Sequence, residues 1–259
     1  MGRLDGKVCI ITGAASGLGK QEAIRFAEEG AKLAICSRTE SKLMDTKRIC
    51  EEKGAEVLAM ACDVMVKENL EALVSATVDR FGTIDILVNN AHTVTMLLPF
   101  LQKSEDDLEI ELKSSLYAYW RLMKLCYPYM KGKPGAGASI INFASKAGFE
   151  GTVDHCAYAA AKEAVRGLTR VVAREWGKDN IRINTICPGG FTDNAKTDLS
   201  KQTKEVQQWA EVAFKDNPFQ RIGDPYEDVS PIVLFLASDD SRWMTGQNVF
   251  ADGGSWITA

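Results

Sequence analysis

Short runs of almost continuous hydrophobic residues alternate with longer amphipathic segments along most of the chain. Strands that are buried on both faces of a parallel sheet have this character, whereas half-exposed strands alternate strictly. The predicted strands are Lys7–Thr12, Ala31–Ser37, Glu56–Asp63, Ile84–Asn89, Ser139–Ala144 and Ile181–Cys187. The predicted helices are Leu18–Glu29, Ser41–Lys53, Lys67–Phe81, Glu105–Met130 and Tyr158–Gly177. This alternation predicts an α/β fold with a doubly wound parallel sheet and right-handed crossovers.

The pattern changes after Pro188. Residues 189–222 are polar and amphipathic, and regular structure is predicted to resume with a helix at Tyr226–Ala237 and a strand at Gln247–Phe250. The sequence contains no internal repeat, low-complexity tract or linker. We therefore expect residues 1–259 to form a single domain.

Composition narrows the class of protein. The 259 residues are 46% hydrophobic and 25% charged, a mixture that supports a large core. The net charge is −4 and no basic block is present, so nucleic acid is not an expected partner. The seven cysteines form no CxxC pair, which predicts reduced thiols, a cytoplasmic location and no metal cluster. No apolar run approaches the ~20 residues of a membrane helix.

A glycine-rich turn follows the first predicted strand and leads directly into a helix. It reads Thr12-Gly13-Ala14-Ala15-Ser16-Gly17-Leu18-Gly19. Glycines allow a tight turn and close backbone approach, and a helix N-terminus offers free N–H groups to a pyrophosphate. The spacing is TGxxxGxG, not GxGxxG, and such turns also occur for steric reasons alone. Its position as the first βα turn favours dinucleotide binding.

The end of the second strand indicates which dinucleotide binds. An acidic residue at this point typically bonds the ribose 2′-hydroxyl, whereas a basic one accommodates a 2′-phosphate. Here Ser37 is followed by Arg38, whose guanidinium can pair with a phosphate through two hydrogen bonds. The alternative is an exposed arginine that merely opens the next helix. The residues favour NADP(H) over NAD(H).

Tyr158 and Lys162 are four residues apart in a predicted helix and therefore share one face. A lysine charge about 5 Å away stabilises a phenolate by roughly 3 kcal/mol, which predicts a tyrosine pKa lowered by about two units. Tyr158 then exchanges a proton with a substrate oxygen. Ser145 follows the fifth strand, near the expected crevice, and is placed to hold that oxygen. The spacing alone also fits an ordinary helix face.

Taken together, these features resemble the classical short-chain dehydrogenase/reductase family. The likeness extends over nearly the whole chain. It includes the glycine-rich turn, Asp63, Asn89-Asn90-Ala91, the spacing of twelve residues between Ser145 and Tyr158, Pro188-Gly189, Thr245-Gly246-Gln247 and Asp252-Gly253-Gly254.

The resemblance implies a single Rossmann-like domain with a seven-stranded, mostly parallel sheet and helices on both faces. It implies Ser115, Ser145, Tyr158 and Lys162 as catalytic residues, with Lys162 also bonding the nicotinamide ribose. Its implied dinucleotide-binding residues are Gly13, Ser16, Gly17, Leu18, Gly19, Ser37, Arg38, Asp63, Val64, Asn90, Ala91, Tyr158, Lys162, Pro188, Gly189, Phe191 and Thr192. It further implies a homotetramer that pairs the helices near 105–130 and 155–177.

Three positions depart from the family pattern. His92 stands where a glycine is usual, so an imidazole is expected beside the substrate or dinucleotide, or packed at the crevice rim. Ser115 replaces the asparagine that holds a water in the proton relay; a hydroxyl can still bind water. Asp193 occupies the position of a threonine, and Thr192 is expected to take over its carboxamide contact.

Residues 189–222 correspond to the substrate lid of this family. The expected substrate-binding residues are His92, Thr95, Phe149, His155 and Trp209. Their partly apolar character predicts a bulky ketone or alcohol, such as a hydroxysteroid or cyclic ketone, with acyl ketones and quinones still open. The sequence thus predicts an NADP(H)-dependent oxidoreductase. Two alternatives are a non-catalytic dinucleotide-binding regulator and an epimerase or dehydratase that uses a transient hydride transfer.

Overall fold

The computed structural model describes residues 2–189, 200, 204, 207–208, 212 and 215–257. Seven strands form one sheet in the order β3-β2-β1-β4-β5-β6-β7, and every neighbouring pair is parallel. The strands are β1 (Val8–Thr12), β2 (Lys32–Ser37), β3 (Val57–Ala61), β4 (Ile86–Asn89), β5 (Ala138–Phe143), β6 (Ile181–Pro188) and β7 (Asn248–Ala251). The predicted doubly wound, Rossmann-like sheet is confirmed.

Helices cover both faces of the sheet. They are α1 (Gly17–Glu28), α2 (Glu40–Glu52), α3 (Lys67–Phe81), α4 (Glu105–Leu112), α5 (Ala118–Met130), α6 (Ala147–Glu150), α7 (Cys156–Trp176) and α8 (Ser230–Ala237). One hydrophobic core joins α1, α2 and α8 to the sheet, and a second joins α3, α5 and α7 to the opposite face. Within the described ranges, no helix has the length and apolar character needed to cross a membrane.

Local sequence explains where several helices start and stop. Ser104 opens α4 with a capping box, in which its hydroxyl accepts from the Asp107 N–H and the Asp107 carboxylate accepts from the Ser104 N–H. Gly82 ends α3 in the left-handed conformation, at φ 76°. The start of α4 and the end of α3 therefore each have a local chemical cause.

The predicted helix at 105–130 contains one feature that its periodicity does not show. Residues Lys113–Tyr117 form a π-helical turn between α4 and α5. The Ser115 hydroxyl donates to the Glu111 carbonyl oxygen at 2.7 Å, and the Ser114 hydroxyl approaches the same oxygen at 3.4 Å. Serine hydroxyls that compete for a backbone carbonyl loosen the regular helix ladder. Such π turns are frequent at functional sites.

Candidate active site

A cavity of about 440 Å³ opens at the carboxyl ends of the central strands. Fourteen of the residues predicted from the sequence line it: Gly13, Ser16, Gly17, Leu18, Ser37, Arg38, Asp63, Val64, Asn90, Ala91, His92, Tyr158, Lys162 and Pro188. Ligands of open parallel sheets bind at this edge. The fold thus brings the glycine-rich turn and the Tyr158–Lys162 pair into one cleft.

The glycine-rich turn between β1 and α1 has no room for side chains at two positions. A Cβ on Gly13 would lie 2.8 Å from the Asn90 side-chain nitrogen, and one on Gly19 would lie 2.5 Å from the same atom. Gly13 and Gly17 also have positive φ values of 73° and 57°. Glycine is therefore required at these positions by the close packing of the turn against Asn90 and by its backbone conformation.

Hydrogen bonds from β4 fix the shape of this turn. The Thr12 hydroxyl accepts from the backbone N–H groups of Asn90 and Ala91, both at 3.0 Å. The Asn90 side chain donates to the Thr12 carbonyl oxygen at 2.8 Å. Asn89 donates to Asn142 of the neighbouring strand β5, also at 2.8 Å. These bonds tie the carboxyl ends of β1, β4 and β5 together at the edge of the sheet where the cavity opens.

Two cations stand at the outer part of the cavity. Arg38 and Lys42 line it beside Ser37, and both are exposed. Asp63 also lines the cavity, but its carboxylate accepts from the Met65 N–H at 3.0 Å. Positive charge next to β2 suits a phosphate group. Lys42 is a residue that sequence reasoning missed, although it lies one helical turn after Arg38, where a shared face is expected.

Tyr158 and Lys162 line the opposite part of the cavity, and Ser145 lies next to Tyr158. The Ser145 hydroxyl hydrogen bonds to the Tyr158 phenol. Lys162 is only 3% exposed, its Nζ donates to the Phe143 carbonyl oxygen at 2.8 Å, and it lies 5.9 Å from the centre of the Tyr158 ring. This arrangement places a proton donor, an orienting hydroxyl and a buried amine around one point.

The electrostatics of this group differ from the sequence prediction. Desolvation raises the pKa of Tyr158 to about 12, although the hydrogen bond from Ser145 opposes the rise. Burial also lowers the pKa of Lys162 to about 7, so this amine is only partly charged at neutral pH. The predicted two-unit decrease in the tyrosine pKa is therefore wrong for the protein alone. It assumed a full lysine charge and neglected the cost of desolvating the phenolate.

A family model described as enoyl-(acyl carrier protein) reductase matches residues 13–255, which include the cavity and its reacting groups. The chain belongs to the classical short-chain dehydrogenase/reductase family. It is thus an oxidoreductase of a family that binds a nicotinamide dinucleotide.

Relatives of this chain in the family include hydroxysteroid and acyl-carrier-protein enzymes. A 12alpha-hydroxysteroid dehydrogenase from a Clostridium species is 40% identical, over 98% of each chain. A 3-oxoacyl-[acyl-carrier-protein] reductase from Thermotoga maritima is 35% identical, over 97% of this chain and 98% of that protein. The structure of a 7 alpha-hydroxysteroid dehydrogenase with NADH and 7-oxo glycochenodeoxycholic acid is 33% identical, with a TM-score of 0.88 over 97% of this chain and 95% of the other.

His92 contacts the reacting group of this short-chain dehydrogenase/reductase. Its ring lies edge-on to the Tyr158 ring, with centroids 5.1 Å apart. Its Nε2 atom is 3.4 Å from a carboxylate oxygen of Glu111, a fully buried residue of α4. Burial and the nearby Lys162 charge lower the pKa of His92 to about 4 despite that carboxylate. The imidazole is therefore neutral at physiological pH.

The remaining predicted residues within the described ranges lie around this centre. Ser115 is fully buried, and its hydroxyl donates to the Glu111 carbonyl oxygen. Thr95 donates to the Glu111 carboxylate. Gly189 packs against Asp252, where a Cβ would lie 2.6 Å from the aspartate Cα.

The aromatic candidates occupy different surroundings. Phe149 packs against the Phe250 ring, with centroids 5.1 Å apart, and is absent from the residues that line the cavity. The His155 ring lies 6.0 Å from the Tyr158 ring, and its Nδ1 is 2.7 Å from the Val153 carbonyl oxygen. Phe191, Thr192 and Trp209, with most of the expected lid, lie outside the described residues.

Glu111 is a residue of this site that the sequence analysis missed, although the sequence pattern around it indicates a buried position. The sequence around it is rich in acidic residues, which suggests a solvated helix face. However, Glu111, Ser115, Tyr119 and Leu122 recur at helical spacing, and all four are buried. A carboxylate on an apolar face is unusual and indicates a paired or functional group.

Proposed function

We propose that the protein is an NADP(H)-dependent oxidoreductase that interconverts a ketone and a secondary alcohol. The observation that carries this proposal is that Tyr158 and Lys162 share one cavity with the glycine-rich turn and Arg38. A bound nicotinamide dinucleotide supplies hydride chemistry beside Tyr158. The proposed reaction therefore needs from the chain only binding, orientation and one proton.

Tyr158 supplies that proton in the proposed mechanism. A phenol with a pKa of about 12 is protonated at neutral pH and is suited to donate to a carbonyl oxygen as that oxygen gains negative charge. The Ser145 hydroxyl, already bonded to the phenol, orients the same oxygen. Lys162 bonds the ribose and, when charged, stabilises the phenolate left behind. Ser115, in the π turn after α4, is proposed to support the proton path as an acceptor, because its own proton is donated to the Glu111 carbonyl oxygen.

NADP(H) is proposed over NAD(H) because of the charge at the end of β2. Arg38 and Lys42 flank the expected position of the 2′-phosphate. One relative was solved with NADH, so the family as a whole does not settle the choice.

Arg38→Ala is expected to raise the KM for NADPH about tenfold to a hundredfold, because a charge-assisted phosphate contact contributes roughly 1.5–3 kcal/mol. The KM for NADH should change less than about twofold, since NADH lacks the phosphate. Initial rates with both dinucleotides test this. Arg48→Ala, an exposed arginine of α2 that pairs with Glu52, is the matched control. Equal effects of Arg38→Ala on both dinucleotides would contradict the assignment.

A bulky, largely apolar substrate is proposed, with hydroxysteroids first. Two relatives with high coverage are hydroxysteroid dehydrogenases, at 40% and 32% identity. The proposed substrate-binding residues remain His92, Thr95, Phe149, His155 and Trp209. A second candidate is reduction of an acyl ketone, which the 3-oxoacyl reductase from Thermotoga maritima supports.

A substrate panel decides between these candidates. Hydroxysteroids, oxosteroids, cyclic ketones and acyl ketones are each assayed by NADPH absorbance, and again with NADH. We expect turnover of at least one steroid or cyclic ketone, with NADPH preferred. Turnover of acyl ketones alone would support the second candidate. Dinucleotide binding without net oxidation or reduction of any compound would support a regulator, an epimerase or a dehydratase.

We also propose that the whole chain is one cytoplasmic domain with a lid at about 189–222, and that it assembles as a homotetramer. Exposed apolar side chains on the two long helices support this assembly. Tyr117, Trp120 and Val171 are 42%, 51% and 56% exposed on adjoining faces of α5, α7 and the π turn. Pairing of these helices between subunits removes that apolar surface from water.

A further inference from the structure

A buried carboxylate lies one side chain away from the proposed reacting group. Glu111 extends from the last turn of α4 and is fully buried. One of its oxygens is 3.4 Å from His92 Nε2, and the other accepts from the Thr95 hydroxyl and from the Thr95 N–H at 3.1 Å. Lys103 Nζ lies 3.7 Å from the second oxygen. His92 in turn packs against Tyr158.

Glu111 is ionised in this setting. Burial alone raises the pKa of a carboxylate, but the interactions with His92 and Thr95 outweigh it and hold the pKa of Glu111 below its usual value. An ionised carboxylate therefore lies beneath the active site at neutral pH. Lys103 forms a buried ion pair with it at 3.7 Å and also donates to Thr95 and to the Met96 carbonyl oxygen.

His92 lies between Glu111 and Tyr158 as a neutral ring. With a pKa of about 4 it is a poor proton carrier at physiological pH. Neither ring nitrogen of His92 has a hydrogen-bond partner among the described residues, nor does the facing Glu111 oxygen, but Nε2 and this oxygen lie 3.4 Å apart. At that distance the negative charge of Glu111 favours the tautomer that carries its proton on Nε2, and with it one orientation of the ring that packs against Tyr158.

Lys162 needs a nearby negative charge because its site favours the neutral amine. Its ammonium donates to the Phe143 carbonyl of β5 and lies 5.7 Å from the Tyr119 ring centre of α5 and 5.9 Å from the Tyr158 ring centre of α7. The titratable groups that act on it through charge are Cys187 of β6, His92 after β4 and Glu111 of α4. Burial of Cys187 raises the pKa of its thiol to about 12, so it is neutral. Glu111 is thus the ionised carboxylate among these groups.

We propose that Glu111 is a positioning residue of the active site, which orients the His92 ring against Tyr158 and whose buried negative charge favours the ammonium form of Lys162. This proposal rests on the proposed function, because it concerns how the same site works. Glu111 touches neither substrate nor dinucleotide and acts through His92 and Lys162.

The first test measures Lys162 directly in the protein without dinucleotide. The titration midpoint of Lys162 is followed by ¹⁵N and ¹³C NMR of labelled lysine, with Lys162→Met to assign the signal. Glu111→Gln is expected to lower this midpoint by about one pH unit, since removal of a buried negative charge that raises the pKa of Lys162 destabilises the ammonium. The His92 ¹⁵N pattern should change from a single Nε2–H tautomer to a mixture; the chain has only two histidines.

Control variants separate charge from packing. Glu109→Gln removes the same charge two residues earlier, from an exposed carboxylate that pairs with Lys113, and should leave the midpoint unchanged. Glu111→Asp keeps the charge, so the titration midpoint of Lys162 in this variant should stay close to the wild-type value. If Glu111→Gln does not fold, Glu111→Asn makes the same charge change with a shorter side chain. An unchanged Lys162 midpoint in the folded neutral variant would overturn the proposal.

The second test is the pH profile of kcat. In Glu111→Gln the basic limb should move to lower pH by about one unit, with roughly a tenfold fall in kcat at pH 8 and little change in KM for NADPH. A structural role alone would lower stability without moving this limb. If the wild type shows no Tyr158-dependent turnover, the proposed function fails. If it does and Glu111→Gln keeps the wild-type profile, only the role of Glu111 fails.

Discussion

Tyr158→Phe is expected to lower kcat for ketone reduction by about 10³-fold or more, the upper part of the range for loss of a general acid. Phenylalanine keeps the ring that packs against His92 at 5.1 Å but removes the hydroxyl that bonds to Ser145. The fold and the glycine-rich turn are untouched, so the Kd for NADPH should change less than about twofold. Steady-state rates and fluorescence titration of NADPH measure the two quantities.

The control for this variant is Tyr129→Phe. Tyr129 is 40% exposed on α5, and loss of its hydroxyl should leave kcat and Kd unchanged. A Tyr158→Phe protein that reduces a good substrate at the wild-type rate would disprove the proton-donor role. Because the pKa of Tyr158 is about 12, the phenol is available at neutral pH for reduction. Alcohol oxidation needs the phenolate and should therefore accelerate as the pH rises.

The sequence was sufficient for the scaffold because its signals are local. Buried parallel strands read as continuous apolar runs, and β1, β2 and β5 appear within one residue of their predicted bounds. The glycine-rich turn was also predictable, since Gly13 and Gly19 are required by contacts that any bulkier residue would violate. Residues such as Asn90, which follow a strand end, come together because parallel strands end at one edge.

The electrostatics of the site were not predictable, because they depend on contacts between distant segments. His92 and Glu111 meet only after the chain following β4 passes beneath α4. The π turn arises from two serine hydroxyls, which a periodicity analysis treats as ordinary polar residues. Spacing placed Lys162 near Tyr158 correctly but carried no information on desolvation, which decides the pKa of both groups.

Burial of Glu22 is likewise not visible in the sequence. This residue lies in α1 directly behind the glycine-rich turn and is fully buried, and neither carboxylate oxygen has a hydrogen-bond partner among the described residues. Burial raises its pKa to about 8, so the side chain is a neutral acid at physiological pH. A neutral group is also suited to a helix whose N-terminus faces an anionic ligand, since a negative charge there would repel that ligand.

Glu22→Gln is expected to change how stability depends on pH. In the wild type the folded state keeps a proton that the unfolded state, with a pKa near 4.5, has lost. The contribution of Glu22 to the free energy of unfolding is therefore fully present below about pH 4.5 and is lost as the pH rises through about 8. The glutamine variant has no such proton, so its stability relative to the wild type should increase by roughly 3 kcal/mol between pH 5 and pH 8.

Urea unfolding at several pH values and one protein concentration measures this difference. A cost of burying the glutamine amide does not depend on pH. Such a cost changes the free energy of unfolding by the same amount at every pH, so the change of the difference with pH is unaffected. Glu40→Gln, at an exposed position in the first turn of α2, is the matched control and should give no slope. If the difference in unfolding free energy between Glu22→Gln and the wild type does not change with pH, Glu22 is ionised in the folded protein. A buried partner for its charge would then have to exist beside the glycine-rich turn.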